Sequence, residues 1–581
     1  MADLSIKSAL ILAQEFLDNK KVQKAKKLYD AILIHDPANI EAKTKLSLLN
    51  RIDANLSSAQ PPLEKVKEIY DLINKSQFES VAERALSLLN KFPKAIGIWK
   101  VLGLAYRSSG NTKEAVKVFN KLTEIEPLNI EHYYNLSASL NELGEFNDAI
   151  AACEKAISIN PQHASIYFNM GNSLRLSNKL QEAVKAYKKA ISFKDNYLDA
   201  YINMGNTLRL LGKYEEAIAA HNAVVSKDQS HSPSYNNLGN IFREQGKLEK
   251  SIKAYRKALS FNGAPNYITL NLSFALLNNG NLLEGLEKYE SRWKTDTSSQ
   301  SMRLFSQPIW TRHMSLENKT ILVWGEQGPQ DMVIWSSCLI LLSQLAGSCI
   351  VECREKLVPL FTRSFPEVEV RKEDRTQDNT RNDFDYHLPM GSLFNQFIPE
   401  ISSNYHQNKF LVPDPDRVKY WTERLQNLGE GPFIGISWTS PVLTHTRAPN
   451  YTNVNDWKPV FSLSSVTFIN LQSTNFSDDL ASIRSKFGVT VHNFPELDHY
   501  DDLDDVAALT TALDLVISVS TAVAAISAGV GTPTKLALWR QSPWNNILLT
   551  PTGPLVERYE RNSRESWNSV FTNIARDIRQ D

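Results

Sequence analysis

YYNLSASLNELGEFNDAIAACEKAISINPQHASI (residues 133–166) runs without a gap into YFNMGNSLRLSNKLQEAVKAYKKAISFKDNYLDA (residues 167–200). Set one above the other, the two segments keep phase over 34 positions: Tyr133 over Tyr167, Leu136 over Met170, Ser137 over Gly171, Ala149 over Ala183, Cys153 over Tyr187. The register extends both ways. Trp99, Tyr201 and Tyr235 take the Tyr133 position, Leu102, Met204 and Leu238 the Leu136 position, and Gly103, Gly205 and Gly239 the Ser137 position. Ala115, Ala217, Phe119 and Tyr255 fall into phase behind them, and Pro127 and Pro161 close two units. Large and small residues alternating at helical spacing let the two helices of a unit pack closely and stack on the next. The period predicts an array of helical hairpins from about residue 96 to 299.

These residues resemble the tetratricopeptide repeat, W-x2-L-G-x2-Y…A-x3-F…P with a period of 34. Beyond the packing positions, Asn135, Asn169, Asn203, Asn237 and Asn271 share one repeat position, Asn172, Asn206 and Asn240 a second, and Arg107, Arg175, Arg209 and Arg243 a third. Residues three apart on a helix are neighbours, and stacking turns each position into a ladder. The expectation is a concave surface carrying rows of amides flanked by guanidinium groups. An Asn offers one acceptor and two donors, so such a row can grip the backbone of an extended ligand without reading its side chains. The O-linked N-acetylglucosamine transferases look similar here, which implies an acceptor protein held in extended conformation by these asparagines and by Arg175, Arg209 and Arg243. The plainer reading is that Asn at these positions belongs to the generic repeat consensus.

Outward from the repeats, residues 6–39 form an early unit in phase, and RIDANLSSAQPP (51–62) breaks it with polar residues and two prolines, which reads as a linker after one extra helix. Phase resumes at Leu63, and Gly285, Tyr289, Arg292 and Trp293 are read as a cap docking onto the next domain. The chain has 581 residues, 42% hydrophobic and 22% charged, with a formal net charge of zero. That balance gives no reason to expect nucleic-acid or anionic-membrane binding. Four cysteines without a CxxC pair argue for reduced thiols and a cytoplasmic location, with Cys349 and Cys353 better read as small buried hydrophobes than as metal ligands. MADLSIKSALILAQEFLDNK lacks a signal-peptide pattern, and no run of about 18 uncharged apolar residues predicts a membrane span.

After residue 303 strands alternate with helices, the grammar of a parallel sheet wound with helices. Strands are expected at 320–324, 348–352, 368–371 and 384–388, with an amphipathic helix over 332–346. The pattern restarts at FIGISW (433–438), with strands at 466–471, 489–494, 515–519 and 534–539 and a last helix at 564–579. Two Rossmann-like lobes follow, 303–415 and 416–581, behind a repeat region of 1–300, with a hinge near 412–419.

In open parallel sheets ligands bind beyond the carboxyl ends of the strands at a switch point. The first such loop is GEQGPQD (325–331), where Asp331 is either a helix N-cap or a general base for an acceptor hydroxyl. The second is SVSTAVAAISAGVGTP (518–533): hydroxyls and amides at a strand end, then a helix of small residues. That is either an anion site for a diphosphate or a plain tight helix–sheet contact.

GEQGPQD, FIGISW, FINLQ, DLDDVAALTTALDLVIS and STAVAAISAGVGTP, in that order behind the repeats, resemble repeat-fused glycosyltransferases related to the heptosyltransferases. The resemblance implies a GT-B fold, a metal-independent inverting transfer from a nucleotide sugar, and a protein acceptor. It implies Asp331 as the catalytic aspartate of an E-Q-G-x-G-D loop, with Glu326 beside it as a second catalytic candidate. Gln327, Trp438, Gln472, Asp505, Ser520, Thr521 and Ala522 match positions facing the nucleotide sugar, and Arg447 is a candidate partner for its diphosphate. There are departures: Gln330 stands where the loop has Gly, and Ser520-Thr521-Ala522-Val523-Ala524-Ala525 replaces D-T-x-x-x-H. A different donor, or a non-catalytic binding scaffold, are the readings these departures open. A third, transfer to a lipid-linked saccharide, would not need the repeats. The acidic run 498–505 is read as solvated helix capping rather than a metal site.

Overall fold

The computed structural model describes residues 5–18, 21–57, 61–295, 302–376, 378–402, 409–440, 448–473, 476–539, 555–561 and 565–580. Contacts divide the chain into two compact units, Met1–Ala220 and His221–Asp581.

The first unit is helical. Ile6–Asp18 and Val22–His35 pair into a hairpin around Ala13, Ala25 and Tyr29, a core separate from that of the following repeats. The next helix runs Ile40–Ser57, so the polar stretch read as a linker from residue 51 is helical to Ser57. Arg51 to Ser57 contains no helix breaker, and the two prolines at 61 and 62 come too late to stop it. From Leu63–Asn74 onward the helices follow the 34-residue phase.

One close contact recurs in alternate repeats, 68 residues apart. A Cβ built on Gly171 would lie 2.5 Å from the Tyr187 ring, and one on Gly103 2.8 Å from Phe119. In the second unit Gly239 stands in the same relation to Tyr255, at 2.6 Å. Each glycine lets the aromatic ring of the partner helix lie directly on its backbone, so the two positions recur together.

The second unit begins with the last repeats, Ser232–Glu244, Leu248–Leu259, Asn266–Asn278 and Leu282–Tyr289, followed by a short turn at Glu290–Lys294. Two parallel sheets follow. The first has the order β3-β2-β1-β4, with β1 Thr320–Trp324, β2 Ser348–Cys353, β3 Glu369–Lys372 and β4 Tyr386–Pro389. The second has the order β10-β9-β8-β5-β6-β7, with β5 Phe433–Ser437, β6 Thr467–Asn470, β7 Val491–His492, β8 Leu515–Val519, β9 Thr534–Trp539 and β10 Val556–Arg561.

Two further expectations need correction. The helix expected over 332–346 is two helices, Pro329–Ser336 and Leu339–Ser343, and Met332 to Ser336 are all buried. The first of them is not amphipathic, because it packs on the helix Ala522–Val530 and on the turn Met390–Ser392 and shares an apolar cluster with Ile321 and Val323 of β1. The stretch read as a hinge near 412–419 already contains the start of a helix, Pro415–Gln426, capped by Asp414. Strand β10 was not foreseen.

A single apolar cluster joins Leu277 and Leu286 of the last repeats, Val323, Val333 and Trp335 of the first sheet's layer, and Ala524, Ala525 and Leu536 of the second's. The two sheets therefore share a core.

Candidate active site

In the first sheet strand order reverses between β1 and β4, and in the second between β5 and β8. Both switch points lie at carboxyl ends of strands, where parallel sheets bind ligands.

The turn after β1 is held from several sides. Gly325 N donates to the Glu352 carbonyl at 2.8 Å. Glu326 turns inward, its side chain 3% exposed, and both carboxylate oxygens accept from Arg292: Nε to Oε2 and Nη2 to Oε1, each at 2.9 Å. Gly391, in the turn after β4, donates its N–H to Glu326 Oε1 at 2.8 Å, and a Cβ at Gly391 would sit 2.3 Å from that oxygen. Arg292 Nη2 also donates to Ser392 Oγ at 2.9 Å, and Nη1 to Glu290 at 3.0 Å. Burial pushes the Glu326 carboxyl up while Arg292 pulls it down. Burial likewise opposes the Arg292 charge, but Glu326 and Glu290 outweigh it and raise that group. A fork with two parallel N–H donors on one carboxylate is the geometry of an ionised pair. Glu326 is thus committed to positioning the turn. Gln327 also faces the repeats, donating from Nε2 to Tyr289 Oη at 2.8 Å. The docking expected of Tyr289, Arg292 and Trp293 is realised here, and Gly285 admits Leu277, whose Cδ2 would be 2.6 Å from a Cβ.

Gly328, not Asp331, is the N-cap of the helix Pro329–Ser336, and Asp331 stands half-buried in its first turn. Tyr289 senses it: burial lifts the Tyr289 hydroxyl, and the charges of Glu326 and Asp331 add to that effect against Arg292. Gln330 reaches across to the second sheet, where Nε2 donates to Ser520 Oγ at 2.8 Å.

Ser520 and Thr521 follow β8. Thr521 is the N-cap of Ala522–Val530 and makes no side-chain capping bond; its hydroxyl instead pairs with Ser518 Oγ at 3.1 Å. Gln472, at the end of β6 and 0% exposed, gathers three donors on Oε1: Trp438 N at 3.1 Å, Thr439 N at 3.0 Å and Ser437 Oγ at 3.3 Å. Its Nε2 has no partner among the described residues. A buried amide donor left so costs roughly 1–3 kcal/mol unless something else accepts from it.

Two side chains expected at the nucleotide sugar point elsewhere. Trp438 is 1% exposed, packs in the core of the second sheet and donates Nε1–H to Asp479 at 2.8 Å; only its backbone meets Gln472. Asp505 accepts from Arg417 Nε and Trp421 Nε1, both at 2.7 Å, and ties its helix to Pro415–Gln426. The acidic run is therefore not all solvated: Asp502 caps the helix through Asp505 N at 2.9 Å, while Asp504 takes Arg363 of the first sheet's layer at 2.8 and 2.9 Å. Arg447 lies outside the described residues.

A cavity of about 900 Å³ opens elsewhere between the sheets, lined by Cys353, Arg354 and Lys372 on one side and Asp498, Asp501 and Asp504 on the other. Lys372 pairs with Glu355 at 2.6 Å, and Lys356 donates to the Tyr500 carbonyl at 2.7 Å. The charges here are spent on one another, so size alone marks it.

The amide rows are visible as side-chain bonds between neighbouring repeats. Asn203 Nδ2 donates to Asn172 Oδ1 at 2.9 Å, and the same oxygen accepts from Tyr187 Oη at 2.8 Å. Asn169, 6% exposed, spans to Tyr134 O and Ser137 Oγ. Asn135 receives Arg107 Nη1 at 3.5 Å. In the second unit Asn271 donates to Asn236 at 2.9 Å and Asn240 accepts from Tyr255 Oη at 2.7 Å. Arg175 and Arg243 interact with Tyr187 and Tyr255 respectively. Asn206, Asn237 and Arg209 are half-buried on the same helices.

Models of the tetratricopeptide repeat match residues 97–127, 129–196, 186–219 and 232–263. The helical pairs are tetratricopeptide repeats. The chain is similar to Protein FlbA of Caulobacter vibrioides, 31% identical over 322 residues, which cover 52% of this chain and 53% of that one. It thus spans about half the length of that curated relative. Among solved structures, MamA is 25% identical over 27% of this chain and 93% of its own, with a TM-score of 0.26. YrrB, described as a TPR protein with an unusual peptide-binding site, is 18% identical over 31% and 94%, with a TM-score of 0.27. Among the described residues no helix is long and apolar enough to cross a membrane, and no group of three or more His, Cys, Asp or Glu could hold a metal ion. The four cysteines are free and buried, Cys349 and Cys353 included, as small apolar side chains.

Proposed function

We propose that the protein is a glycosyltransferase of the GT-B type whose tetratricopeptide repeats hold an acceptor protein. The observation that carries this reading is the bond between Gln330 and Ser520, which brings the turn bearing Asp331 against the turn bearing Thr521. The acceptor hydroxyl attacks the anomeric carbon of a nucleotide-linked sugar. The new C–O bond forms as the bond to the diphosphate breaks, the proton passes to Asp331, configuration inverts, and a nucleoside diphosphate leaves. The first-turn amides of Ala522–Val530 complement the departing charge, and the unpartnered Gln472 Nε2 donates to a carbonyl of the donor. Half-buried amides of the Asn203 row pair with peptide groups of the acceptor.

The test is release of nucleoside diphosphate from UDP-, GDP- and dTDP-sugars, with Asp331→Ala alongside. Loss of general-base catalysis lowers turnover by about 10² to 10⁴ with donor binding retained; an unchanged rate removes Asp331 from the mechanism. A second reading has support in the same contact: Gln330 in the glycine position and the apolar packing beneath it suit a scaffold whose transferase half no longer turns over. Binding of donor by none of the three sugars, with acceptor still captured by the repeats, favours it.

A further inference from the structure

The tetratricopeptide array does not end where the first sheet begins; it reaches into the turn that carries Asp331. Consecutive residues of that turn are each held by a residue of the last repeat: Glu326 by Arg292, through two bonds of 2.9 Å, and Gln327 by Tyr289, at 2.8 Å. Both holding residues are buried, Arg292 and Tyr289 at 2% exposure each. Arg292 simultaneously engages Ser392 in the turn after β4, so a single guanidinium spans both turns of the switch point. Its fork also sits over the Tyr289 and Trp293 rings, at 4.4 and 4.7 Å, which removes its freedom to swing away. A boundary meant only to join two modules needs no buried charge pair, and here that pair is placed on the turns after β1 and β4.

We infer that Arg292 and Tyr289 are positioning residues for transfer: the last repeat sets the geometry of the turn 325–331, so Asp331 is in place only while that repeat is docked. This rests on the proposed transferase reading and adds the mechanical link between acceptor-binding and chemical halves. Arginine's planar fork is what makes the link directional; lysine keeps the charge but loses the two-pronged grip.

The experiment uses the full chain with Arg292→Lys, Tyr289→Phe and the pair Arg292→Met/Glu326→Met, each checked for native helical content. Turnover of UDP-, GDP- and dTDP-sugars is split into kcat and KM, and amide exchange is read by mass spectrometry. Displacement of a reacting group by about 1 Å costs on the order of 10² in rate, so kcat is expected to fall at least about tenfold with the donor KM unchanged. Arg292→Lys should retain more activity than the Met pair. Exchange should rise for residues 325–333 while β1 stays protected. Folded variants with wild-type kcat overturn the inference. If the wild-type protein itself shows no turnover, the transferase reading fails on its own. The exchange arm then still decides the link: unchanged protection of 325–333 in all three variants overturns it.

Discussion

Gln330 and Ser520 meet at 2.8 Å although 190 residues separate them, one in the helix start after β1 and the other in the turn after β8. This is the point where the carboxyl ends of two parallel sheets face each other. It is a side-chain bond between partly buried groups, so it is both weak enough to exchange for a ligand and specific enough to fix which turns oppose.

That bond can be measured. Gln330→Ala and Ser520→Ala should each destabilise the folded chain by about 1 kcal/mol, and the double variant by less than their sum, with a coupling of about 0.5–1.5 kcal/mol. Denaturant unfolding of the four proteins supplies the cycle. Strict additivity would mean that the two turns do not hold each other.

Gly171 carries the Tyr187 ring against its backbone, and a Cβ there would be 2.5 Å from a ring carbon. Gly171→Ala therefore overpacks the repeat, although alanine is the better helix former. A loss of about 1–3 kcal/mol is expected, read as a lower melting temperature. Stabilisation would show that the ring can retreat.

His387 links stability to pH. Burial first, and Arg303 second, hold its imidazole down at about 4 against an ordinary value of 6.5, and it accepts Trp324 Nε1–H on Nδ1 at 3.2 Å. The unfolded chain then binds the proton more readily than the folded one. Stability is full above pH 6.5, falls as pH drops below it, and stops falling from this cause near pH 4. His387→Gln keeps an acceptor and removes the titration, so urea midpoints between pH 7 and 5 should shift less than in the wild type. Equal shifts would assign the acid limb to other groups.

Burial pushes the thiols of Cys153, Cys349 and Cys353 up to about 12, and that of Cys338 higher still. Native protein should leave all four unreactive toward a disulfide reagent at pH 8, with four equivalents released on denaturation. Rapid labelling of a native thiol would contradict the packing around it.

The repeats were legible because one contact recurs: glycine against aromatic ring is a pairing of residue types at a fixed offset. β8 and β9 were legible end to end, since buried parallel strands read as apolar runs between turns. β10 was not, because Val556–Arg561 is an edge strand of alternating charges, exposed along much of its length. Chain order sufficed to bring the turns after β1 and β8 to face each other, but not to give the direction of each side chain. Trp438 closes a strand and turns into the core; Asp505 opens a helix and turns onto Arg417. Both depend on partners far away in the chain. The partner of Glu326 lies 34 residues upstream in another kind of structure, and only the reading of Arg292 as a docking cap hinted at it. Gly391, which makes room for that carboxylate, left no signal of its own.

Met332 and Val333 beneath one sheet and Ala524 and Ala525 beneath the other belong to the same apolar cluster. Prising the sheets apart would wet that cluster, at about 2.5 kcal/mol for each 100 Å² of apolar surface. The seam is therefore not a pair of jaws. A ligand reaching Asp331 and Thr521 would have to displace small polar contacts at the rim, over a floor that stays closed.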